Sequence, residues 1–421
     1  MVFMLLICAL MCGCNFQNND AYTEYDSFTP QAKKDSKSTF SAENYNFAEI
    51  KFEDEGYYYL REKADFSIQY AGTNIVSGVI DAKDTSGELI YLSIIDENGN
   101  FYHRRDSSDT ESGEIGMYSP VQKTYKKLMD IPPKSQAGII TVNVDYLVWQ
   151  ESMDNSNWGK TRLHLFKQKE NVDTVIYEYT TNPDTGFVYG YNWSEIIIIG
   201  NKIYFDDIIG KENDIMQISI FCYDIETGII TEIQKQGKTP MKYMDKVAWN
   251  EKGENPNDIN VVTYDGNKKE VVVKFKATDT MGMANTGGRS MAYIDWLNTK
   301  RVPILYSPSD DEEIDDTYND CMGLQIWNDG NVLPIIISKS LSYLSQPQTN
   351  GRIFIFGGSD FGTQPVFYDL KYDKLVVADK LPMGHVYGGF LNNNILVFYF
   401  TEQDTEGNDQ LHQYYSIILD D

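Results

Sequence analysis

Residues Glu195 to Ile233, EIIIIGNKIYFDDIIGKENDIMQISIFCYDIETGIITEI, read as one small antiparallel sheet. An apolar run, Ile196 to Ile199, meets a turn at Gly200-Asn201, and Lys202 to Phe205 follows as a second strand. Gln217 to Tyr223 makes a third, and Ile229 to Ile233 a fourth after an Asp-x-Glu-Thr-Gly turn. A unit of this size cannot bury both its faces alone, so it needs neighbours of the same kind. The chain supplies them. Strands of matching pattern centre near Val148, Tyr204, Val247, Ile294, Ile355 and Val397, roughly 40–60 residues apart, which is the period of a propeller or solenoid. Hairpin signals accompany them, at Asp265-Gly266 and Asn328-Asp329-Gly330 among others. Asn, Asp and Gly accept the positive φ that tight turns require.

These repeats predict an all-β chain built as a β-propeller of four-stranded antiparallel blades. Six units are visible and Phe47 to Arg105 has room for another, so seven blades is the first expectation, with six or eight as alternatives. Thirty tyrosines, twenty phenylalanines and six tryptophans suit pleated, half-buried surfaces. Two β-sandwiches in tandem compete with this arrangement, but they do not explain why an aromatic strand returns before each Asp-Gly-type hairpin. Among the early strands are AEIKF, GYYYLRE, FSIQYAG and NIVSGVID, and Glu97-Asn98-Gly99-Asn100 is a hairpin turn. Val121 to Met129, VQKTYKKLM, is expected to form one short helix, ended by Pro132-Pro133.

The first thirteen residues, MVFMLLICALMCG, are uncharged and mostly apolar, and too short to span a bilayer as a helix. A short apolar run closed by a small residue reads as a secretory signal. Gly13 followed by Cys14 resembles the bacterial lipobox, which implies lipidation of the Cys14 thiol and removal of residues 1–13. Residues 14–45, rich in Ser, Asn, Asp and Lys, hold too little apolar surface to order themselves and read as a tether. Residues 46–421 are then the propeller, held at an extracytoplasmic membrane face by a lipid anchor.

The formal net charge of −26 repels phosphate backbones, which argues against a nucleic-acid partner. Of five cysteines, Cys8, Cys12 and Cys14 lie at the start, leaving Cys222 and Cys321 for the body, too few for a disulfide framework.

YLVWQESMDNSNWGKTRLHLF and GNKIYFDD with ISIFCYDIETGIITEI are similar to the TolB-like exported propellers, whose blades pair an aromatic strand (here VWQE, IYFDD and VAWNE) with a Tyr-Asp-x-x-Thr-Gly hairpin. Ile353 to Pro382, with Gly357-Gly358 and then FYD, resembles a kelch blade. The resemblance implies a scaffold whose kind mostly binds partners.

Candidate chemistry is sparse. Asp310, Asp311, Glu313 and Asp315 form a dense set of hard oxygens that Ca²⁺ would accept, without the spacing of a calcium-binding loop. A solvated acidic insertion accounts for them more simply, so no cofactor is expected beyond this weak Ca²⁺ candidate. His103, His164, His385 and His412 stand apart from one another and from any Cys, which gives no zinc spacing. His164 alternates within a strand; His385 lies in a loop where a ligand pocket fits. Trp158 and Trp193, in loops, offer faces on which a sugar or peptide side chain would stack, whereas Trp149, Trp249 and Trp327 belong between blades. No Gly-x-Ser-x-Gly elbow occurs. Glu151, Asp206, Asp207, Glu251 and Asp295 recur after the aromatic strands, either as converging carboxylates or as turn residues and blade-to-blade hydrogen bonders. The expected function is a non-catalytic, membrane-anchored scaffold for another envelope protein or a glycan. The alternative is a carbohydrate-active propeller using channel carboxylates, a reaction that needs two acids facing one sugar bond.

Overall fold

The computed structural model describes residues 57–81, 91–105, 107, 111–153, 160–179, 196–212, 215–254, 258–276, 283–287, 290–296, 322–328, 331–338, 348–355, 365–382, 386–403 and 409–419. Their strands form seven antiparallel blades, and the fold is a seven-bladed β-propeller. The first blade is Tyr91–Ile95, Phe101–Arg105, Gly113–Ser119 and Thr124–Ile131. The second is Gln136–Val142, Tyr146–Ser152, Thr161–Lys167 and Val172–Glu178, and the third Ile197–Ile199, Lys202–Glu212, Ile215–Asp224 and Ile230–Lys235. Gly237–Tyr243, Lys246–Lys252, Asp258–Tyr264 and Lys269–Lys276 make the fourth. The fifth comprises Met283–Gly287, Ser290–Trp296, Met322–Asn328 and Asn331–Ser338, and the sixth Gln348–Thr349, Ile353–Ile355, Val366–Asp369 and Lys374–Val377.

The seventh blade is composite. Val386–Asn392, Ile395–Gln403 and Asp409–Ile418 come from the C-terminal end, and the outer strand, Ile75–Asp81, from near the N-terminal end. Two further N-terminal pieces are spent on outer edges. Tyr57–Tyr59 pairs antiparallel with the last strand of the fifth blade, and Lys63–Asp65 pairs parallel with that of the sixth.

All six strand centres read from the sequence fall in the second strand of a blade, from the second blade to the seventh. The remaining blade begins at Tyr91, because much of the stretch before it serves as outer strands of other blades. Two local expectations are overturned. Val121–Met129 is not helical: Ser119 and Thr124 pair across a turn in which Lys123 takes φ 54°, and Thr124–Ile131 forms the outer strand of the first blade. Its apolar residues Leu128 and Ile131 meet a strand-shaped surface beside Ile115. FSIQYAG was expected as a strand, and Phe66–Gln69 is instead a single helical turn. It stacks buried Phe66 on Tyr70, four residues on, with ring centroids 5.1 Å apart.

The chain divides into two compact units, Met1–Ala71 with Lys242–Gly384 and Gly72–Met241 with His385–Asp421. Each has cores between adjacent blades. In the second unit, Leu147 and Trp149 pack toward the first blade with Tyr102, Ile115 and Ile131. Val148, between them in sequence, packs toward the third blade with Ile203 and Phe205. A strand alternates its side chains, so a strand covered on both faces must be apolar throughout, which is what LVW supplies. In the first unit, Ala292, Leu324 and Ile336 of the fifth blade meet Phe354, Tyr368 and Leu375 of the sixth.

Turns follow the Asx logic of the sequence. Asp96 Oδ1 accepts the amides of Asn98 and Asn100 around Gly99, at φ 74°. Asp224 Oδ1 accepts the amides of Glu226 and Thr227 ahead of Gly228, at φ 68°. Asp265 Oδ1 does the same for Asn267 and Lys268.

Candidate functional site

A cluster of charged and aromatic side chains lies in the second blade. Trp149 and His164 are directly opposite each other on neighbouring strands, and their rings stack with centroids 4.0 Å apart. Both ring nitrogens of His164 meet carboxylates: Nδ1 lies 2.8 Å from Asp173 Oδ2 and Nε2 3.2 Å from Glu151 Oε2. Carboxylates only accept, so the ring satisfies both of them in its imidazolium form. Burial opposes that charge, and the bonds to Asp173 and Glu151 outweigh it, raising the His164 pKa above the usual histidine value. The bond from His164 in turn holds Glu151 below the usual carboxylate range, helped by Ser135, against the cost of burial.

Every edge of the cluster is tied. Ser135 Oγ donates to Glu151 Oε1 at 2.9 Å, and Trp149 Nε1 donates to Asp173 Oδ1 at 3.0 Å. Arg162 Nη1 stands 3.9 Å from Glu151 Oε2. The cation lies against an indole face, the arrangement in which a ring quadrupole favours a positive charge. The chemistry this arrangement performs is cross-strand fastening: three adjacent strands and the loop before them are joined by two carboxylates through one ring.

The recurring acids behave similarly. Asp207, fully buried, accepts the Tyr177 hydroxyl of the second blade at 2.9 Å. Asp206, fully buried beside it, accepts the Thr239 amide of the fourth blade at 2.7 Å. Glu251 Oε1 accepts Trp249 Nε1 at 2.7 Å and pairs with Lys269 at 3.0 Å. Three of these acids thus bond between strands or blades; of the Asp295 side chain nothing is described. Thr239 is unusual, with φ 58°. A β-branched residue seldom adopts this region, and holding it there costs about 1–3 kcal/mol.

A second buried ion pair fastens the N-terminal segment. Arg352 Nε and Nη2 grip Asp369 Oδ1 and Oδ2 at 3.2 and 3.1 Å, and the Tyr70 hydroxyl donates to the same carboxylate. Asp369 is fully buried. Burial and this carboxylate both push the Tyr70 pKa upward.

Of the residues nominated from sequence, Cys14, Trp158, Trp193, His385 and the acidic set Asp310, Asp311, Glu313 and Asp315 lie outside the described residues. Trp149, Trp249 and Trp327 are buried as expected. Cys222 is a free thiol, half-buried, its pKa pushed up by burial. Among the described residues no group of three or more metal-ligating side chains has the geometry of an ion site. The second-blade cluster was missed in sequence because its members come from a loop and three strands; only the register that sets Trp149 against His164 unites them.

No family model matches the chain, and no curated protein does. Solved structures do resemble it. An oligogalacturonate lyase from Vibrio parahaemolyticus is 12% identical, with a TM-score of 0.46 over 83% of this chain and 99% of that one. The β-propeller domain of the Trilobed protease from Pyrococcus furiosus is 13% identical, with a TM-score of 0.40 over 86% and 98%. An acylaminoacyl peptidase is 12% identical, with a TM-score of 0.41 over 84% and 60%. Proteins of different activities are thus among those this chain is similar to, and at these identities the likeness concerns fold alone.

Proposed function

We propose that the chain is a membrane-anchored, extracytoplasmic lipoprotein whose β-propeller binds another envelope protein or a glycan and catalyses no reaction. The observation that carries the scaffold half is how the recurring acids are used. Glu151 is engaged by His164 and Ser135, Asp207 by Tyr177, Asp206 by Thr239, and Glu251 by Trp249 and Lys269. A pair of acids cleaving a glycosidic bond must face one sugar across a gap of about 5–9 Å, whereas these acids bond neighbouring strands and blades. The anchoring half rests on LICALMCGC and the polar stretch after it, with Cys14 as the lipid-bearing thiol.

The test is cross-linking in cells, followed by recovery of the protein from isolated membranes, with Cys14→Ala as control and fatty-acid labelling as a second readout. Label on the parent and none on Cys14→Ala, together with one stoichiometric partner lost in that variant, supports the proposal. Absence of label overturns the anchor. Recovery of the bait alone, with purified protein shortening a polysaccharide, overturns the scaffold in favour of a carbohydrate-active propeller.

A further inference from the structure

The first described strands of the chain are laid along outer edges, one blade after another. Lys63–Asp65 pairs with the outer strand of the sixth blade, and Tyr57–Tyr59, earlier in sequence, with that of the fifth. The step between them is short. The Leu60 amide donates to the Ile335 carbonyl of the fifth blade at 2.9 Å, and the Glu62 carbonyl already accepts the Leu375 amide of the sixth at 3.0 Å. Two residues of extended chain cover at most about 7 Å, so crossing from one outer edge to the next needs little chain. Next in this order is the fourth blade, which meets the fifth through Tyr243 and Trp327, with ring centroids 6.5 Å apart. Among the described residues, no strand pairs with the outer edge of its last strand, Lys269–Lys276.

That strand is built like a covered one. The outer strands of the first, second and third blades carry no fifth strand, and each exposes three or more consecutive residues. The outer strands of the fifth and sixth blades carry one, and they bury Ile335, Ile336 and Ile337, and Leu375 and Val376. In Lys269–Lys276, KEVVVKFK, Val271 and Val273 are buried, and no residue from 269 to 274 is exposed. The strand thus has the burial of the covered class. A strand at a sheet edge turns backbone N–H and C=O groups outward and templates the addition of another strand.

We propose that residues 48–52, AEIKF, which lie outside the described residues, form a fifth strand of the fourth blade on Lys269–Lys276. Their side chains alternate apolar and charged, the pattern of a half-covered strand. Residues 53–56 join them to Tyr57, and five residue steps reach about 17 Å, more than twice the crossing between the fifth and sixth blades. Tyr57 stands opposite Ser338, at the C-terminal end of the fifth blade's outer strand. A chain entering there from the fourth blade leaves the same end of that blade's outer strand. Residues 48–52 therefore run parallel to Lys269–Lys276, as Lys63–Asp65 does on the sixth blade. Glu53, Asp54 and Glu55 then arrive at the end that bears Lys274 and Lys276, and opposite charges on adjacent strands favour that arrangement. The inference concerns the body of the propeller and is independent of the anchor at Cys14 and of any protein partner.

The experiment uses the full chain in detergent micelles. Lys274→Cys is combined in turn with Glu49→Cys, Ile50→Cys, Lys51→Cys and Phe52→Cys, and after mild oxidation the disulfides are mapped by mass spectrometry. Successive residues of a strand face opposite sides, so linking is expected to alternate. Glu49→Cys and Lys51→Cys are expected to link to position 274 within one chain, several-fold more than Ile50→Cys and Phe52→Cys, which continue the buried side of Val271 and Val273. Amide exchange gives a second readout that needs no cysteine. Ile50→Pro removes a backbone donor and breaks a strand, and is expected to speed exchange in residues 269–276 several-fold while leaving Val172–Glu178 unchanged. Equal linking at all four positions, or none, overturns the proposal. Links found only between two chains overturn it as well, since a second copy then supplies the strand. Unchanged exchange in residues 269–276 of Ile50→Pro likewise overturns it.

Discussion

His164 shows how one side chain can hold a blade together and make its stability depend on pH. Its folded-state pKa is raised, so its contribution is complete below the unfolded value, about 6.5, and is lost as pH climbs through the folded value. Glu151 is shifted downward, so its contribution is present above the unfolded value, about 4.3, and is lost as pH falls through the folded value. The cluster therefore stabilises most between about pH 4.3 and 6.5. His164→Gln is expected to lower the urea midpoint most in that window, with the difference from the parent shrinking on the alkaline side. At pH 6 the loss is expected to be about 1–3 kcal/mol, because buried Glu151 loses its cation while the more exposed Asp173 is hydrated instead. Gly116 belongs to the same scale. A Cβ there would lie 2.6 Å from His103 Nε2 and 2.7 Å from the Tyr125 hydroxyl. Gly116→Ala is expected to cost about 1–3 kcal/mol in chemical denaturation, the usual penalty of overpacking.

At the scale of the element, the segment from Tyr57 to Tyr70 is held by edge pairing and by one buried carboxylate. Tyr70→Phe removes a donor to Asp369 while the Arg352 pair remains. The expected loss is about 1 kcal/mol, with faster amide exchange in residues 57–70 and little change in the second blade. The repeated second strands and the Asx turns were legible in sequence because both depend on local chemistry: alternation over a few residues, and an Asp or Asn placed before a Gly. The helical turn at Phe66–Gln69 was not, since FSIQ has strand composition, and Ser67 N bonding to Asp379 Oδ1 fixes it from a distant part of the chain. Lys123 hid the strand after it in the same way, since a lysine at positive φ gives no glycine signal. The fastening of His164 was equally hidden, because Asp173 and Glu151 are neighbours only in the folded register.

For the whole molecule, the decisive element is the outer strand of the seventh blade. Ile75–Asp81 pairs with Asp409–Ile418 along its full length, Ile75 against Ile417 and Asp81 against Leu411. Gly78 leaves the space that the Tyr414 ring occupies. Removing residues through Gly56 is expected to preserve a single cooperative melt, whereas removal through Asp84 strips this strand and is expected to abolish it; scanning calorimetry of the two truncations checks this. The composite blade also sets a timetable. A pairing between the two ends of a long sequence belongs to the slow class of folding events, because the loop must close before the bonds reward it. It cannot form until Asp409–Ile418 has left the ribosome. Until that strand is made, the seventh blade stays open at its outer edge and Ile75–Asp81 waits unpaired for its partner.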